Sequence, residues 1–112
     1  MSDFEIKSKV WVELDGQNVI GDGRYRLFRG IQEHGSLKTA AEKLGISYRH
    51  AWGQIKKLEK RLGLRLVEPR IGGRDGGGTV LTPDAEKLLD SYMNIRKEIE
   101  DFVEKKSGEF GI

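Results

Sequence analysis

Leu37 to Trp52 read LKTAAEKLGISYRHAW, and this stretch decides the fold. Leu37, Ala40, Ala41 and Leu44 recur at helical spacing, so they share one side of a short helix. Ser36 stands where an N-cap belongs, and Gly45 stands where a helix ends in a left-handed conformation. Ile46 plugs the core beneath the turn, and Ser47 caps a second helix at once. Ala40 and Ala41 keep side chains small where the two helices cross. The result is a helix-turn-helix whose second helix points its N-terminus outward, towards phosphates.

That second helix can run to about Leu62, with Gly63 as its stop. Ala51, Ile55, Leu58 and Leu62 fall in one narrow stripe. Arg49, Gly53, Lys56 and Lys60 lie opposite, with His50 and Lys57 at one edge. The outward face is basic. Tyr48, Arg49, His50 and Gly53, in the first turns, are the candidates for base edges, and Arg49 has the fork to read a guanine bidentately. Ser36, Thr39, Ser47, Lys56, Lys57 and Lys60 are candidates for backbone phosphates, which position without specifying. Tyr48 and Trp52 border the stripe, and Trp52 is expected in the core. Gly53 costs about 1 kcal/mol relative to alanine in mid-helix. Two reasons remain open for it, close approach to a groove or tight packing within the chain.

Downstream, a strand is expected over about Leu64 to Pro69, then a glycine-rich tip from Gly72 to Gly78, then a strand from Thr79 to Leu81. A helix-turn-helix followed by strand, loop and strand is the winged form. Arg70, Gly73, Arg74, Gly76 and Gly77 are the wing residues expected near DNA. A phosphate-binding P-loop is excluded, because its lysine is missing and a strand, not a helix, follows.

Thr82-Pro83 starts a last helix, expected to reach about Lys105. Along it Ala85, Leu88, Tyr92, Ile95, Ile99 and Phe102 form a heptad seam, widened by Leu89, Met93 and Val103. Leu88, Tyr92, Ile95, Ile99 and Phe102 are the expected homodimer interface. The competing reading folds this helix back onto its own domain. A flexible tail is expected over 107–112.

Upstream, Phe4, Ile6, Val10, Val12 and Leu14 alternate with polar residues, the pattern of a strand with one buried face. Asp15-Gly16 suits a tight hairpin turn, and Gln17 to Ile20 would return. Asp22 is placed to cap a first helix of about Arg24 to His34, with Leu27, Phe28 and Ile31 inward, Tyr25 beside them and Gly35 as the stop.

Composition fits this reading. The 112 residues suffice for one core, and charge is unevenly spread: −1 over residues 1–35, +6 over 36–78 and −3 over 79–112. There is no cysteine, which excludes disulfides, thiolate zinc sites and thiol catalysis. His34 and His50 have no acidic or third histidine partner at ligand spacing, so no metal site or cofactor is expected. No nucleophile–base arrangement supports an enzyme. Neither a secretion signal nor an apolar run of about 20 residues is present, so a cytoplasmic location without membrane contact is expected.

The segments GISYRHAW (residues 45–52) and GGRDGGGTVLT (72–82) resemble the N-terminal DNA-binding domain of ModE-type molybdate-responsive regulators. That domain is similar in turn to the winged helix-turn-helix of LysR-type regulators, and QIKKLE (54–59) followed by Leu62-Gly63 fits the wider pattern. The match covers about residues 24–95. The resemblance implies a dimer with the third helix in the major groove and the glycine loop as wing. The family's molybdate-binding part, a pair of small β-barrel modules, would come after this segment, so no oxyanion ligand is expected within these residues.

The expected fold is therefore mainly α with small β. A winged helix-turn-helix domain spans 1–82, including an N-terminal hairpin (1–21), and a dimerisation helix spans 83–106. The expected function is that of a homodimeric, sequence-specific regulator binding double-stranded DNA, with molybdate- or tungstate-related genes as targets. A protein-interaction module on the same scaffold is the alternative, since fold does not fix function. Such a module has no need of the cationic face.

Overall fold

The computed structural model describes residues 4–71 and 78–112. Among these, the order is β1 (Val12–Leu14), β2 (Gln17–Ile20), α1 (Asp22–His34), α2 (Leu37–Leu44), α3 (Tyr48–Leu62), β3 (Val67–Arg70), β4 (Gly78–Leu81) and α4 (Pro83–Glu109). Each β pair is a separate two-stranded antiparallel sheet. Within the described residues no helix is long and apolar enough to cross a membrane.

Helix ends follow local chemistry. The Oγ atoms of Ser36, Ser47 and Thr82 accept the backbone N–H groups of Thr39, His50 and Ala85 respectively. Gly35, Gly45 and Gly63 close α1, α2 and α3 in the left-handed region, with φ of 64°, 71° and 66°. Only glycine enters that region cheaply. The first helix departs from expectation. Its N-cap is Gly21, without a side-chain bond. Asp22 lies inside the first turn, where its carboxylate accepts the Tyr92 hydroxyl at 3.2 Å and pairs with Arg96 at 3.0 Å.

The core is one cluster. Leu27, Phe28 and Ile31 of α1 meet Leu37, Ala40 and Ala41 of α2 and Ala51, Ile55 and Leu58 of α3, while Ala85, Leu89 and Tyr92 of α4 close one side. Helices α1 and α2 approach closely. A Cβ added to Gly30 would lie 2.8 Å from the Ala40 Cβ, so a glycine and a methyl set the crossing distance. The small side chain of Ala40 thus serves α1 as its close neighbour.

The N-terminal alternation does not produce one buried strand face. Strand β1 begins only at Val12, and Phe4, Ile6, Val12 and Leu14 are all exposed. The buried residues of the hairpin are Val19 and Ile20, on β2. Residues 4–10 instead run beside the far half of α4. The Ile6 N–H donates to Ser107 Oγ at 2.8 Å, and the Phe4 and Phe110 rings meet edge to face at 5.0 Å. The Asp15-Gly16 turn does form as expected, with both residues at positive φ (50° and 78°).

Helix α4 reaches Glu109, four residues past its expected end, and takes in the start of the expected tail. Its inward face is Ala85, Leu89 and Tyr92. Tyr92 is spent inside the chain, its hydroxyl donating to the Val10 carbonyl at 2.9 Å and to Asp22. Of the expected dimer residues, Leu88 packs partly on the core, while Ile95, Ile99 and Phe102 remain exposed.

Candidate nucleic-acid interface

The site is the outward face of α3. Three inward residues, Ala51, Ile55 and Leu58, fix the helix on the core, so the opposite face must look away from the protein. Tyr48, Arg49, His50, Gly53, Lys56, Lys57 and Lys60 are all exposed. Among the described residues, the side chains of Arg49, His50, Lys57 and Lys60 make no hydrogen bond or ion pair. Arg49, Lys57 and Lys60, exposed on one helix face, form a ready cationic surface for a polyanion.

Gly53 lies on the outward face of α3. A Cβ there would meet nothing within 4 Å, so packing within the chain gives no reason for it. A glycine in mid-helix therefore sacrifices helix propensity at the centre of the cationic face.

Trp52 is not in the core. The residue is 39% exposed, and its ring carries the Lys56 ammonium at 4.4 Å from its centroid. Lys56 also pairs with Glu59 at 3.0 Å, so its charge is partly engaged, unlike those of Lys57 and Lys60. The helical pattern placed Trp52 at a border, and the cation–π contact with Lys56 holds it on the outer side.

Glu59 has a role with no local sequence signal. Its Oε2 accepts the backbone N–H of Leu66 at 2.7 Å and that of Val67 at 3.4 Å. Burial pushes its carboxyl up, but these N–H groups and the Lys56 ammonium outweigh that and hold it below the ordinary carboxylate range. The carboxylate thereby ties α3 to the start of the third strand. Strand β3 starts at Val67, three residues later than expected, directly after this clamp.

At the root of the wing, the Gly35 carbonyl accepts the Thr79 N–H at 2.9 Å. The Arg70 guanidinium folds over the same point. A Cβ on Gly35 would lie 3.1 Å from one of its terminal nitrogens, and a Cβ on Gly78 would lie 3.0 Å from the other. Arg70 is thus at the base of the wing, against the α1–α2 turn. Gly73, Arg74, Gly76 and Gly77 lie outside the described residues. Ser36 and Ser47 use their oxygens as cap acceptors. Their hydroxyl hydrogens stay available for a phosphate, as does that of the half-buried Thr39.

Residues 23–86 match the family of bacterial regulatory helix-turn-helix proteins of the LysR type. The chain is similar to the transcriptional regulator ModE of Haemophilus influenzae, 38% identical over 81 residues that make up 72% of this chain and 32% of the relative. It is also similar to the molybdenum-pterin-binding protein MopB of Rhodobacter capsulatus, 38% identical over 73 residues, 65% of this chain and 27% of the relative. The chain therefore spans about a third of the length of these curated relatives or somewhat less. Among solved structures it resembles the BenM DNA-binding domain in complex with benA site 1 DNA. That match has a TM-score of 0.59 at 25% identity, covering 79% of this chain and 96% of the other.

Proposed function

Because this chain belongs to the LysR-type family of bacterial regulatory helix-turn-helix proteins, we propose that it binds double-stranded DNA sequence-specifically as a cytoplasmic regulator of transcription. The observation that carries this reading is the α3 face, where Arg49, Lys57 and Lys60 are exposed without an internal partner around an uncrowded Gly53. Tyr48, Arg49, His50 and Gly53 read base edges. Ser36, Thr39, Ser47, Lys56, Lys57 and Lys60 hold phosphates. The wing, with Arg70, Gly73, Arg74, Gly76 and Gly77, reaches the flanking backbone or groove.

The working form is a homodimer paired through the exposed part of α4, Ile95, Ile99 and Phe102, with Leu88 beside them. Three large apolar side chains on one solvent-facing stripe favour a covered surface. Two recognition helices then address half-sites about one helical turn apart. The target genes are those of molybdate or tungstate handling, a reading supported by the regulators it resembles.

The test is recovery of bound DNA from cells. A shared, two-fold-related motif upstream of oxyanion transport genes is expected. Recovery without a common motif counts against sequence-specific binding, and a motif near unrelated genes counts against the molybdate assignment.

A further inference from the structure

A large cleft lies beside α3, on the flank away from the wing strand. It has a volume of about 750 Å³ and is bounded by the N-terminal hairpin, the start of α1 and one edge of α3. Its walls carry Lys9, Arg24, Arg26, Lys57 and Arg61, against Asp22 as the one acid. Asp22 is already paired with Arg96. The cleft is therefore strongly cationic.

Two of its arginines converge on one backbone carbonyl. A terminal nitrogen of Arg24 donates to the Asn18 carbonyl at 2.9 Å and to that of Val19 at 3.1 Å, and Arg61 donates to the same Asn18 carbonyl. Arg24 Nε is shielded from solvent and has no hydrogen-bond partner among the described residues. Burial and the neighbouring Arg61 both weaken the Arg24 cation, lowering its pKa. Like charges converging on neutral carbonyls are stabilised if an anion joins them.

The geometry relates this cleft to DNA. Helix α3 has its cationic face at Arg49, Gly53, Lys56 and Lys60. One flank, through Glu59, abuts the wing strand. The other flank, through Gln54, Lys57 and Arg61, forms the wall of the cleft. A helix seated in a groove has a phosphate backbone passing along each side. We propose that the cleft holds a backbone phosphate of the duplex on the side opposite the wing, so that the N-terminal hairpin is part of the DNA interface. This rests on the DNA-binding reading above and extends it to Lys9, Arg24, Arg26 and Arg61.

The experiment uses the full chain with Lys9→Gln and Arg26→Gln together, since both side chains are exposed and outside the core. Binding to the selected duplex is measured against salt, and then with single phosphates replaced by uncharged methylphosphonates. The double variant is expected to lower the slope of log affinity against log salt by about 1 to 2. One or two methylphosphonates on the side away from the wing should weaken the wild type and leave the variant nearly unaffected. An unchanged slope with an unchanged phosphate map overturns the inference while the DNA-binding reading stands. If the wild type shows no preference for any duplex, that reading fails and the inference falls with it. A cleft serving a free small anion is the remaining outcome. Inorganic phosphate would then shift the arginine side-chain resonances while DNA affinity stayed equal in both proteins, and this too overturns the proposal.

Discussion

The Glu59 carboxylate accepts the backbone N–H of Leu66 at 2.7 Å, joining the end of the recognition helix to the start of the wing. The two groups lie seven positions apart in the chain, and Gly63 makes the reversal between them in the left-handed conformation. The carboxylate thereby ties α3 to the entry of β3.

Glu59→Ala should leave the backbone N–H groups of Leu66 and Val67, at the entry to β3, without their acceptor and cost about 1–3 kcal/mol. The pH dependence has a definite sign. A carboxyl whose folded-state pKa is depressed contributes stability above its unfolded value of about 4.3, and that stability is lost as pH falls through the lower folded value. Urea unfolding at neutral and acid pH checks both points. Glu59→Gln should flatten the acid limb relative to wild type, and an unaltered limb would contradict the clamp.

Gly30 and Gly53 make opposite predictions for the same substitution. Gly30→Ala places a Cβ 2.8 Å from the Ala40 Cβ. Overpacking of about 1–3 kcal/mol then outweighs a helix-propensity gain of up to about 1 kcal/mol. Unfolding titrations should show a net loss, partly recovered by adding Ala40→Gly. Gly53→Ala meets nothing within 4 Å. It should therefore raise stability by up to about 1 kcal/mol while weakening duplex binding.

The two aromatic residues of the α4 seam should also separate. Phe102 is 59% exposed, whereas Tyr92 is 2% exposed and hydrogen-bonded to the Val10 carbonyl. Phe102→Glu, alone or with Ile99→Glu, should convert a dimer to a monomer in sedimentation at micromolar concentration, with no large change in helix content. Tyr92→Phe should cost about 0.5–1.5 kcal/mol of stability and leave the oligomeric state alone. A monomeric wild type would contradict the proposed seam.

These contrasts mark what the sequence could express. Helix boundaries were readable because the signals are local, with Ser36, Ser47 and Thr82 as caps and Gly35, Gly45 and Gly63 as stops. The exposed cationic face of α3 was readable because the stripe of Ala51, Ile55 and Leu58 fixes which side is buried. The segment from Phe4 to Val10 was not. Period-two alternation says nothing about whether a partner strand exists, and this segment lies beside a helix. Asp22 looked like a cap because its actual partners, Tyr92 and Arg96, are some 70 residues away in sequence. The α4 heptad likewise does not say which of its residues turn inward, so Tyr92 was assigned to a partner although its own chain buries it. Trp52, at the edge of a stripe, was decided by Lys56 rather than by periodicity.

The central claim is that the outward side of α3 reads sequence through Arg49 and holds backbone through Lys60. The most direct measurement compares Arg49→Ala and Lys60→Ala for affinity to the selected duplex and to its single-base variants, across a range of salt. Arg49→Ala should lose about 1–3 kcal/mol of discrimination at one base pair, and Lys60→Ala should weaken every duplex alike while lowering the salt slope by about 1. If both variants lose affinity equally on all sequences, or neither loses any, the account is contradicted.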